Sequence, residues 1–324
     1  MKPVDLIGCG AINLDLIYRL EDAPAITDGL PERGAEDSLG DETRAVLDEA
    51  LREVQPRRSG GGQAANVVYG LRRLGYDAVL VGRVGTDPEG EELTADLGTE
   101  ATRYVVRDGV SGRVYVLLDE EGERRNLVAP GTNDALAVTD LPKRLPPTQF
   151  AYFSSFVGDG PFEAQMALLD RLPQTTQVAF DPGELYARRG VKRFMPLLRR
   201  TTYLFATEHE LELLCGVSIG SAFEFLFRVG VDTVVCKMGE RGARLVSRLG
   251  DIYVPPSPAH VIDVTGAGDL FAAGFIGGLL EQLTLESCGR VAAWAAAKGI
   301  AGFGRSSYPD AAAWREQIDL ERSL

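Results

Sequence analysis

Residues 263–275 read DVTGAGDLFAAGF, and the interpretation of the whole chain depends on this stretch. Three small residues, Gly266, Ala267 and Gly268, form a turn into an apolar helix that we expect to begin near Asp269. Free backbone N–H groups and the positive end of the helix dipole make such a turn a binding site for anions. The carboxylate of Asp269 would repel an anion, so its natural partner is a hydroxyl group beside the anion, whose proton it can accept. An aspartate that only caps its own helix is the alternative.

Strand-like and helix-like patterns alternate along most of the chain. The segment QAANVVYGLRRLGY (63–76) has apolar residues at helical spacing and lies between the strand-like runs VDLIG (4–8) and AVLVGRVG (78–85). Further strand-like runs, each separated from the next by a helical segment, occupy residues 149–156, 176–181, 201–207 and 232–239. Strand and helix in turn predict an α/β fold with a mostly parallel sheet covered on both faces.

Two stretches depart from this alternation. Residues 105–131 alternate in period two around the turn DEEG, which predicts consecutive antiparallel strands. Residues 21–58 are acidic, carry Pro and Gly early, and become helical towards their end. We expect both to contribute to a small lid, built from about 14–58 and 101–128, on a single domain that spans 1–324. The acidic stretch is either a solvated insertion without chemistry or a gate for the substrate.

The composition favours a soluble globular protein and argues against several partners. Of 324 residues, 45% are apolar, and 34 Lys and Arg against 47 Asp and Glu give a net charge of −13. So acidic a chain is poorly suited to nonspecific binding of nucleic acid or anionic lipid, and we expect neither partner. The start, MKPVDLIGCG, does not read as a signal peptide, and no apolar stretch reads as a membrane span, so we expect a cytoplasmic protein.

Cysteine and histidine offer little to catalysis in this chain. The four cysteines, Cys9, Cys215, Cys236 and Cys288, stand singly in apolar settings without a C-x-x-C pair, so we expect buried, reduced thiols. The chain has two histidines, which give little support to a zinc site or a histidine-based triad.

The glycine turn resembles a motif of the ribokinase-like, or PfkB, family of carbohydrate and nucleoside kinases, and the likeness runs almost end to end. The family motif D-[TS]-T-G-A-G-D matches residues 263–269 except at Val264. The resemblance implies a three-layer α/β/α sandwich with a small β lid. It also implies that Asp269 is the catalytic base and that the amides of the three small residues before it form an anion hole.

Two segments nearer the start of the chain resemble the substrate motifs of the same family. GGGQAAN (60–66) is similar to G-G-x-x-A-N before a helix, and GAINLDLIYRL (10–20) contains a match to N-x-D. The resemblance implies that the substrate is bound by Asn13, Asp15, Gly61, Gly62 and Asn66. An ordinary glycine turn, a turn-capping Asn and a surface Asp are the alternatives.

Two later segments resemble the nucleotide half. ATEHELELLCG (206–216) is similar to N-x-x-E, with Thr207 in place of Asn and with Glu210 as the acid that helps to organise Mg²⁺. VVCKMGERGARLV (234–246) resembles a strand and G-x-x-G turn beside ATP, although an ordinary β-hairpin is the alternative. The implied nucleotide-binding residues are Thr207, Lys237, Gly239 and Gly242.

The segment AAAKGIAGFGRSSYP (295–309) resembles the adenine side of the family's nucleotide site. In several members a loop there joins the glycine-turn strand to hold a monovalent cation. The resemblance implies that Asp263, Thr265 and Ser307 would hold such a cation, K⁺, in this chain.

We therefore expect an ATP- and Mg²⁺-dependent kinase that phosphorylates a hydroxyl, most simply a primary one, of a sugar or nucleoside by direct in-line transfer. A homodimer through the lid strands is expected because it would cover their edges. A non-catalytic sugar- or nucleoside-binding regulatory protein of the same fold is the alternative. A dinucleotide enzyme is disfavoured, because IGCGAIN (7–13) has Asn13 where the third glycine of G-x-G-x-x-G belongs.

Overall fold

The computed structural model describes residues 1–22, 36–120 and 124–324 of the chain. The strands are, in chain order, β1 (Val4–Cys9), β2 (Asn13–Arg19), β3 (Glu36–Ser38), β4 (Arg57–Gly61), β5 (Ala78–Val84), β6 (Tyr104–Arg107), β7 (Gly112–Leu118), β8 (Arg124–Ala129), β9 (Thr148–Ser154), β10 (Gln177–Asp181), β11 (Tyr203–Thr207), β12 (Thr233–Lys237), β13 (Ala243–Ser247) and β14 (Gly250–Val254). The helices are α1 (Asp41–Ala50), α2 (Gln63–Arg73), α3 (Pro88–Leu97), α4 (Gly160–Arg171), α5 (Gly183–Ala187), α6 (Val191–Leu198), α7 (Glu208–Cys215), α8 (Ile219–Val229), α9 (Ala267–Leu280), α10 (Leu285–Gly299) and α11 (Ala311–Arg322).

A nine-stranded sheet forms the centre of the molecule, in the order β14-β13-β12-β11-β10-β9-β1-β5-β6. The strands from β12 to β6 are parallel to their neighbours, and β13 and β14 are added antiparallel at one edge. The predicted strands at 4–8, 78–85, 149–156, 176–181, 201–207 and 232–239 all belong to this sheet.

Successive side chains of the central strands enter two different cores, because side chains of a strand alternate between the faces of a sheet. Leu6 and Leu80 pack with residues of α2, α9 and α10, whereas Ile7 and Val79 pack with residues of α4, α6 and α8. Helices therefore cover both faces of the sheet, which confirms the α/β fold predicted from the alternation.

A second, five-stranded sheet has the order β3-β8-β7-β2-β4. β3, β7 and β8 come from the two stretches that depart from the alternation, β4 starts at the end of the first of them, and β2 precedes both. β7 and β8 form the antiparallel pair predicted around DEEG. Of those stretches, residues 23–35 and 121–123 lie outside the described residues. The role of this small sheet as a lid and the homodimer through its edges stay predictions.

The predicted antiparallel region, residues 105–131, was wrong at its first residues. Residues 105–107 belong to β6, which pairs in parallel with β5 at the edge of the large sheet. Alternation in period two indicates a strand but does not specify which strand it pairs with. The chain bends at Asp108 and Gly109, between β6 and β7.

Helix α9 is apolar on nearly all sides and lies buried between α2 and α10. A Cβ atom on Gly274 would lie 3.0 Å from the backbone of Ala292, so α9 and α10 are in close contact. Close packing on both sides holds the N-terminus of α9 in a fixed place, at the carboxyl ends of the parallel strands. Among the described helices, none is long and apolar enough to cross a membrane.

Candidate active site

A cleft of about 900 Å³ lies between the large sheet and the small sheet. Ligands of open α/β folds bind at the carboxyl ends of the strands, which is where this cleft lies. The predicted site residues that line it are Asn13, Asp15, Gly62, Asn66, Thr207, Glu210, Lys237, Gly239, Gly242, Thr265, Gly266, Ala267, Gly268 and Asp269. Gly61, Asp263 and Ser307 are not on its wall.

Asp269 lies in the first turn of α9, where its side chain reaches the floor of the cleft. The residue is only 8% exposed, and its Oδ2 accepts a hydrogen bond of 2.7 Å from Nδ2 of Asn66. Burial raises the pKa of Asp269 to about 7, while the bond from Asn66 opposes this rise. A carboxyl with a pKa near neutrality is suited to accept a proton and release it again.

The turn before Asp269 differs in one respect from the expected anion hole. Helix α9 begins at Ala267, and the amide of Ala267 donates to the carbonyl of Val264 at 3.2 Å. Gly266 has φ 73° and ψ 3°, the left-handed conformation that closes such a turn and that glycine adopts without strain. The Ala267 amide is therefore engaged within the turn, whereas in the described part of the chain those of Gly266 and Gly268 make no hydrogen bond.

Lys237 supplies a cation next to these amides. A Cβ atom on Gly268 would lie 3.3 Å from Nζ of Lys237, and Nζ donates to Oδ2 of the fully buried Asp181 at 2.7 Å. The nearby carboxylates of Asp181 and Glu210 raise the pKa of Lys237 against the opposing effect of burial. The ammonium group thus stays charged beside the N-terminus of α9, where an anion would bind.

Asp15 and Asn13 lie at the other end of the cleft, on β2. Burial raises the pKa of Asp15 to about 7, while Arg305 opposes the rise. A Cβ atom on Gly61 would lie 2.1 Å from Oδ1 of Asp15, so the absence of a side chain at Gly61 leaves the space that this carboxyl occupies. Oδ1 of Asn13 accepts a hydrogen bond of 2.8 Å from Nδ2 of Asn133. Both predicted ligands are therefore held by neighbouring strands and loops.

Asn66 has a different environment from the one expected of a substrate ligand. Its Oδ1 accepts from Nε of Arg305 at 2.9 Å and its Nδ2 donates to Asp269, so both polar atoms already have protein partners. Its amide connects Arg305 to Asp269. One N–H group and one oxygen lone pair of this amide remain, so the interpretation of Asn66 as a substrate ligand stays a prediction.

Thr207 and Glu210 form a capping box at the start of α7. Oγ1 of Thr207 accepts from the amide of Glu210 at 3.2 Å, and Oε2 of Glu210 accepts from the amide of Thr207 at 2.6 Å. Burial raises the pKa of Glu210, while the charge of Lys237 opposes the rise. The Thr207 hydroxyl is thus used by the helix cap, and the second oxygen of Glu210 remains for the cleft.

The donors in the cleft suit Mg²⁺ bound together with a nucleotide. Among the described residues, no cluster of three or more His, Cys, Asp or Glu could hold a metal ion. Mg²⁺ commonly takes one or two carboxylates, phosphate oxygens of its substrate and several waters, so Glu210 alone fits this mode. Gly239 and Gly242, in the hairpin turn between β12 and β13, line the same end of the cleft.

Of the three residues expected to hold K⁺, Thr265 lines the cleft, whereas Asp263 and Ser307 do not. The carboxylate of Asp263 accepts from the amides of Thr265 and Gly304, both at 2.9 Å. Ser307 lines a separate cavity of about 290 Å³ with Lys298. Asp263 therefore ties the glycine turn to the loop after α10, and a K⁺ site at these residues stays a prediction.

Several residues of the site could not be identified from motifs. On β8, Arg124, Asn126 and Val128 line the cleft, and their spacing of two is the signal that could have found them. In the described part of the chain, the Arg124 guanidinium makes no hydrogen bond or ion pair, although its charge lowers the pKa of Asp15. Asp181 and Arg305 gave no such signal, because their partners are distant in sequence.

Comparison with known proteins agrees with this geometry. A family model described as pfkB family carbohydrate kinase matches residues 37–310. An uncharacterized sugar kinase of Archaeoglobus fulgidus is 34% identical over 239 residues, which cover 72% of this chain and 96% of that protein. The ATP-dependent ribose-1-phosphate kinase of Halopiger xanaduensis is 29% identical over 289 residues, 87% of each chain. A probable sugar kinase of Rhizobium etli has a TM-score of 0.85 over the full length of both chains, at 22% identity.

The cleft and these similarities define an enzyme that transfers a phosphoryl group to an alcohol. The chain belongs to the pfkB family of carbohydrate kinases. The ribokinase-like α/β fold implied by the sequence motifs is confirmed, and the chain is a carbohydrate or nucleoside kinase.

Proposed function

We propose that this kinase transfers the γ-phosphoryl group of ATP directly to a hydroxyl of a sugar or nucleoside, with Asp269 as the base. The observation that carries the proposal is the position of Asp269. Its buried carboxyl lies in the same helix turn as the unbonded amide of Gly268, and the ammonium of Lys237 lies 3.3 Å from the position that a Cβ atom on Gly268 would take. A proton acceptor and an anion-binding group are thus side by side, as in-line transfer requires.

The acceptor substrate would bind between the large sheet and the small sheet, which acts as its lid. Asp15 and Asn13 are the polar groups at that end, and Val114, Val116 and Val128 form an apolar wall. The carboxyl of Asp15 would orient sugar hydroxyls, while Asp269 would accept the proton of the reacting one, a primary hydroxyl in the simplest case. Valine side chains would exclude water from the reacting atoms.

The nucleotide would occupy the opposite end. When bound, ATP supplies the phosphoryl group and Mg²⁺ spreads the charge of its phosphates. Glu210 would hold the metal through waters, and the turn at Gly239 and Gly242 would lie along the phosphates or the ribose. Apolar residues of α10 and of the segment after it, Ala296, Ala297 and Ile300, line the cleft where the adenine would pack.

A screen of ATP consumption against pentoses, hexoses, their phosphates and common nucleosides tests this function. Ribose-1-phosphate has priority in the panel, because one relative bears that name and because Arg124 presents a guanidinium without a partner among the described residues. Arginine is well suited to bind a phosphate group. Thermal shifts with the same compounds would separate binding from turnover.

The variant Asp269→Asn provides the decisive comparison. It keeps the size of the side chain but removes the proton acceptor, so kcat should fall by at least about a hundredfold with substrate affinity nearly intact. Retention of most of the wild-type kcat would overturn the assignment of Asp269 as the base.

A further inference from the structure

Arg305 is a buried arginine in the loop after α10 that lies at the edge of the active site. Its side chain is 5% exposed. Nε donates to Oδ1 of Asn66 at 2.9 Å, Nη1 pairs with Asp96 at 2.5 Å, and Nη2 donates to the carbonyl of Gly61 at 3.5 Å. The guanidinium also lies 4.8 Å from the ring centroid of Tyr69. One side chain thus joins the loop to α2, α3 and β4.

The contact between Arg305 and Asn66 determines which way the Asn66 amide faces. A guanidinium has only donors, so the group that meets Nε must be the amide oxygen. The NH₂ group of Asn66 then points to Asp269, with 2.7 Å between Nδ2 and Oδ2. An NH₂ group can only donate, and it therefore favours the carboxylate over the protonated acid.

Resting on the proposed role of Asp269, we propose that Arg305 is a positioning residue for the catalytic base: it orients the Asn66 amide so that Asp269 stays a carboxylate ready to accept a proton. Without Arg305, the amide can rotate and present its oxygen, which binds the protonated acid instead. The hydrogen-bonded connection to Asp269 runs through Asn66, because among the described residues Arg305 makes no hydrogen bond with Asp269 itself.

Several other titratable and charged groups interact with Asp269. The titratable and charged side chains that face Asp269 are those of Asp15, Tyr152, Asp181, Lys237, Arg124 and Tyr308. Burial holds the pKa of Asp269 at about 7, so a small change in its hydrogen bonding shifts the fraction of active base at neutral pH. Arg305 also lowers the pKa of Asp15 directly.

The test compares kcat as a function of pH for wild type, Arg305→Met and Arg305→Lys. In R305M we expect the acidic limb of the profile to shift to higher pH by about one unit. The value of kcat should then fall roughly tenfold at pH 6.5 and less than about threefold at pH 8.5. R305K keeps a donor-only cation next to Asn66, so its limb should lie close to that of wild type.

Arg73→Met is the matched control. Arg73 donates to the carbonyl of Tyr308 at 3.3 Å, so its loss weakens the anchoring of the same loop without touching Asn66. Its limb should stay at the wild-type pH. An R305M enzyme with reduced kcat at every pH and an unmoved limb would show that Arg305 is only structural and would overturn the proposal.

Two further comparisons keep the outcome clear. If thermal unfolding shows that R305M is not folded, R305Q replaces it, because a glutamine amide can accept as well as donate; an unmoved limb in R305Q overturns the proposal equally. If wild type transfers no phosphoryl group to any acceptor, or if D269N retains its turnover, the proposed function fails as a whole. If wild type transfers the phosphoryl group and D269N loses its turnover, but the acidic limb of R305M does not move, only the proposed role of Arg305 fails.

Discussion

Burial has the same effect on the pKa of two carboxyl groups in the cleft, those of Asp269 and Asp15. Both residues are less than one tenth exposed, and burial raises the pKa of each to about 7. A carboxylate that is fully solvated would be too weak a base, and one buried without a donor would remain protonated at neutral pH. The bond from Asn66 places Asp269 between these limits, where the base form is available and the proton can be released again.

The fit between Gly61 and Asp15 gives a prediction for substrate binding. In Gly61→Ala the new Cβ would lie 2.1 Å from Oδ1 of Asp15, so the carboxyl has to move. We expect KM for the acceptor to rise by about tenfold or more, with a smaller effect on kcat and on KM for ATP. Steady-state kinetics with each substrate varied would measure this.

Gly40→Ala is the control for that change. Gly40 has φ −73°, and among the described residues, its chain neighbours aside, no atom lies within 4 Å of the position of its new Cβ. Its kinetic constants should stay within about twofold of wild type. An unchanged KM in G61A would contradict the assignment of Asp15 as the main ligand of the acceptor.

Motifs predicted residues that line the cleft better than they predicted the partners of those residues. Asp269, Asp15 and Lys237 all line the cleft, because short motifs at strand ends and helix starts place side chains locally. The partners of these residues come from remote parts of the chain: Arg305 and Asn66 are 239 residues apart. No local pattern encodes such a contact, and for the same reason the double use of the Asn66 amide was not foreseen.

The N-terminus of α9 and the end of β12 meet at the wall of the cleft. Lys237, the last residue of β12, places its ammonium against Gly268 in the first turn of α9. Asp181, at the end of β10, accepts a hydrogen bond from that ammonium. It also accepts one from Nε2 of Gln63 at 3.1 Å. Charges at two strand ends and a helix start thereby converge on one point.

Lys237→Met separates the catalytic from the structural effect of this pair. The change leaves the fully buried carboxylate of Asp181 without its cation, which should cost about 3 kcal/mol of unfolding free energy. It also removes a positive charge from the phosphate site, so kcat should fall about tenfold to a hundredfold. Urea unfolding and steady-state kinetics measure the two effects.

The double variant Lys237→Met with Asp181→Asn tells the effects apart. Asparagine keeps an acceptor for Gln63 but carries no charge, so the double variant should regain most of the lost stability. Its kcat should remain low, because the phosphate site still lacks a cation. Recovery of kcat together with stability would mean that Lys237 serves only to neutralise Asp181.

Helices and strands were predicted reliably where one local rule dominates. The segment 63–76 contains α2, and the run 78–85 contains β5, because their apolar residues follow a single period. β6 was assigned to the wrong sheet, since its neighbours in space depend on the connection after it rather than on its own pattern. The start of α9 was placed near Asp269 instead of Ala267, because Gly266 closes the turn earlier than the composition suggests.

The arrangement of the whole chain buries several carboxyls around one cleft. Asp15, Glu36 and Asp269 come from the small sheet and from α9, and burial raises the pKa of each to about 7. In the unfolded chain these groups ionise near pH 4. Between about pH 4 and pH 7 the folded state thus binds more protons, and its free energy of unfolding falls as the pH rises through this window. The site is assembled at a cost in stability at neutral pH.

Asp269→Asn should therefore stabilise the ligand-free protein in a pH-dependent way. At pH 8 the wild-type carboxyl is ionised in a buried place, so the variant should gain about 1–3 kcal/mol of unfolding free energy, whereas at pH 5 the wild-type group is already neutral and the gain should largely vanish. Urea unfolding at both pH values measures the difference. Asp319→Asn, at an exposed position on α11, is the control and should show no such dependence. A gain of equal size at pH 5 and pH 8 would show that the buried charge of Asp269 does not limit stability, and would remove the physical basis for a base with a pKa near neutrality.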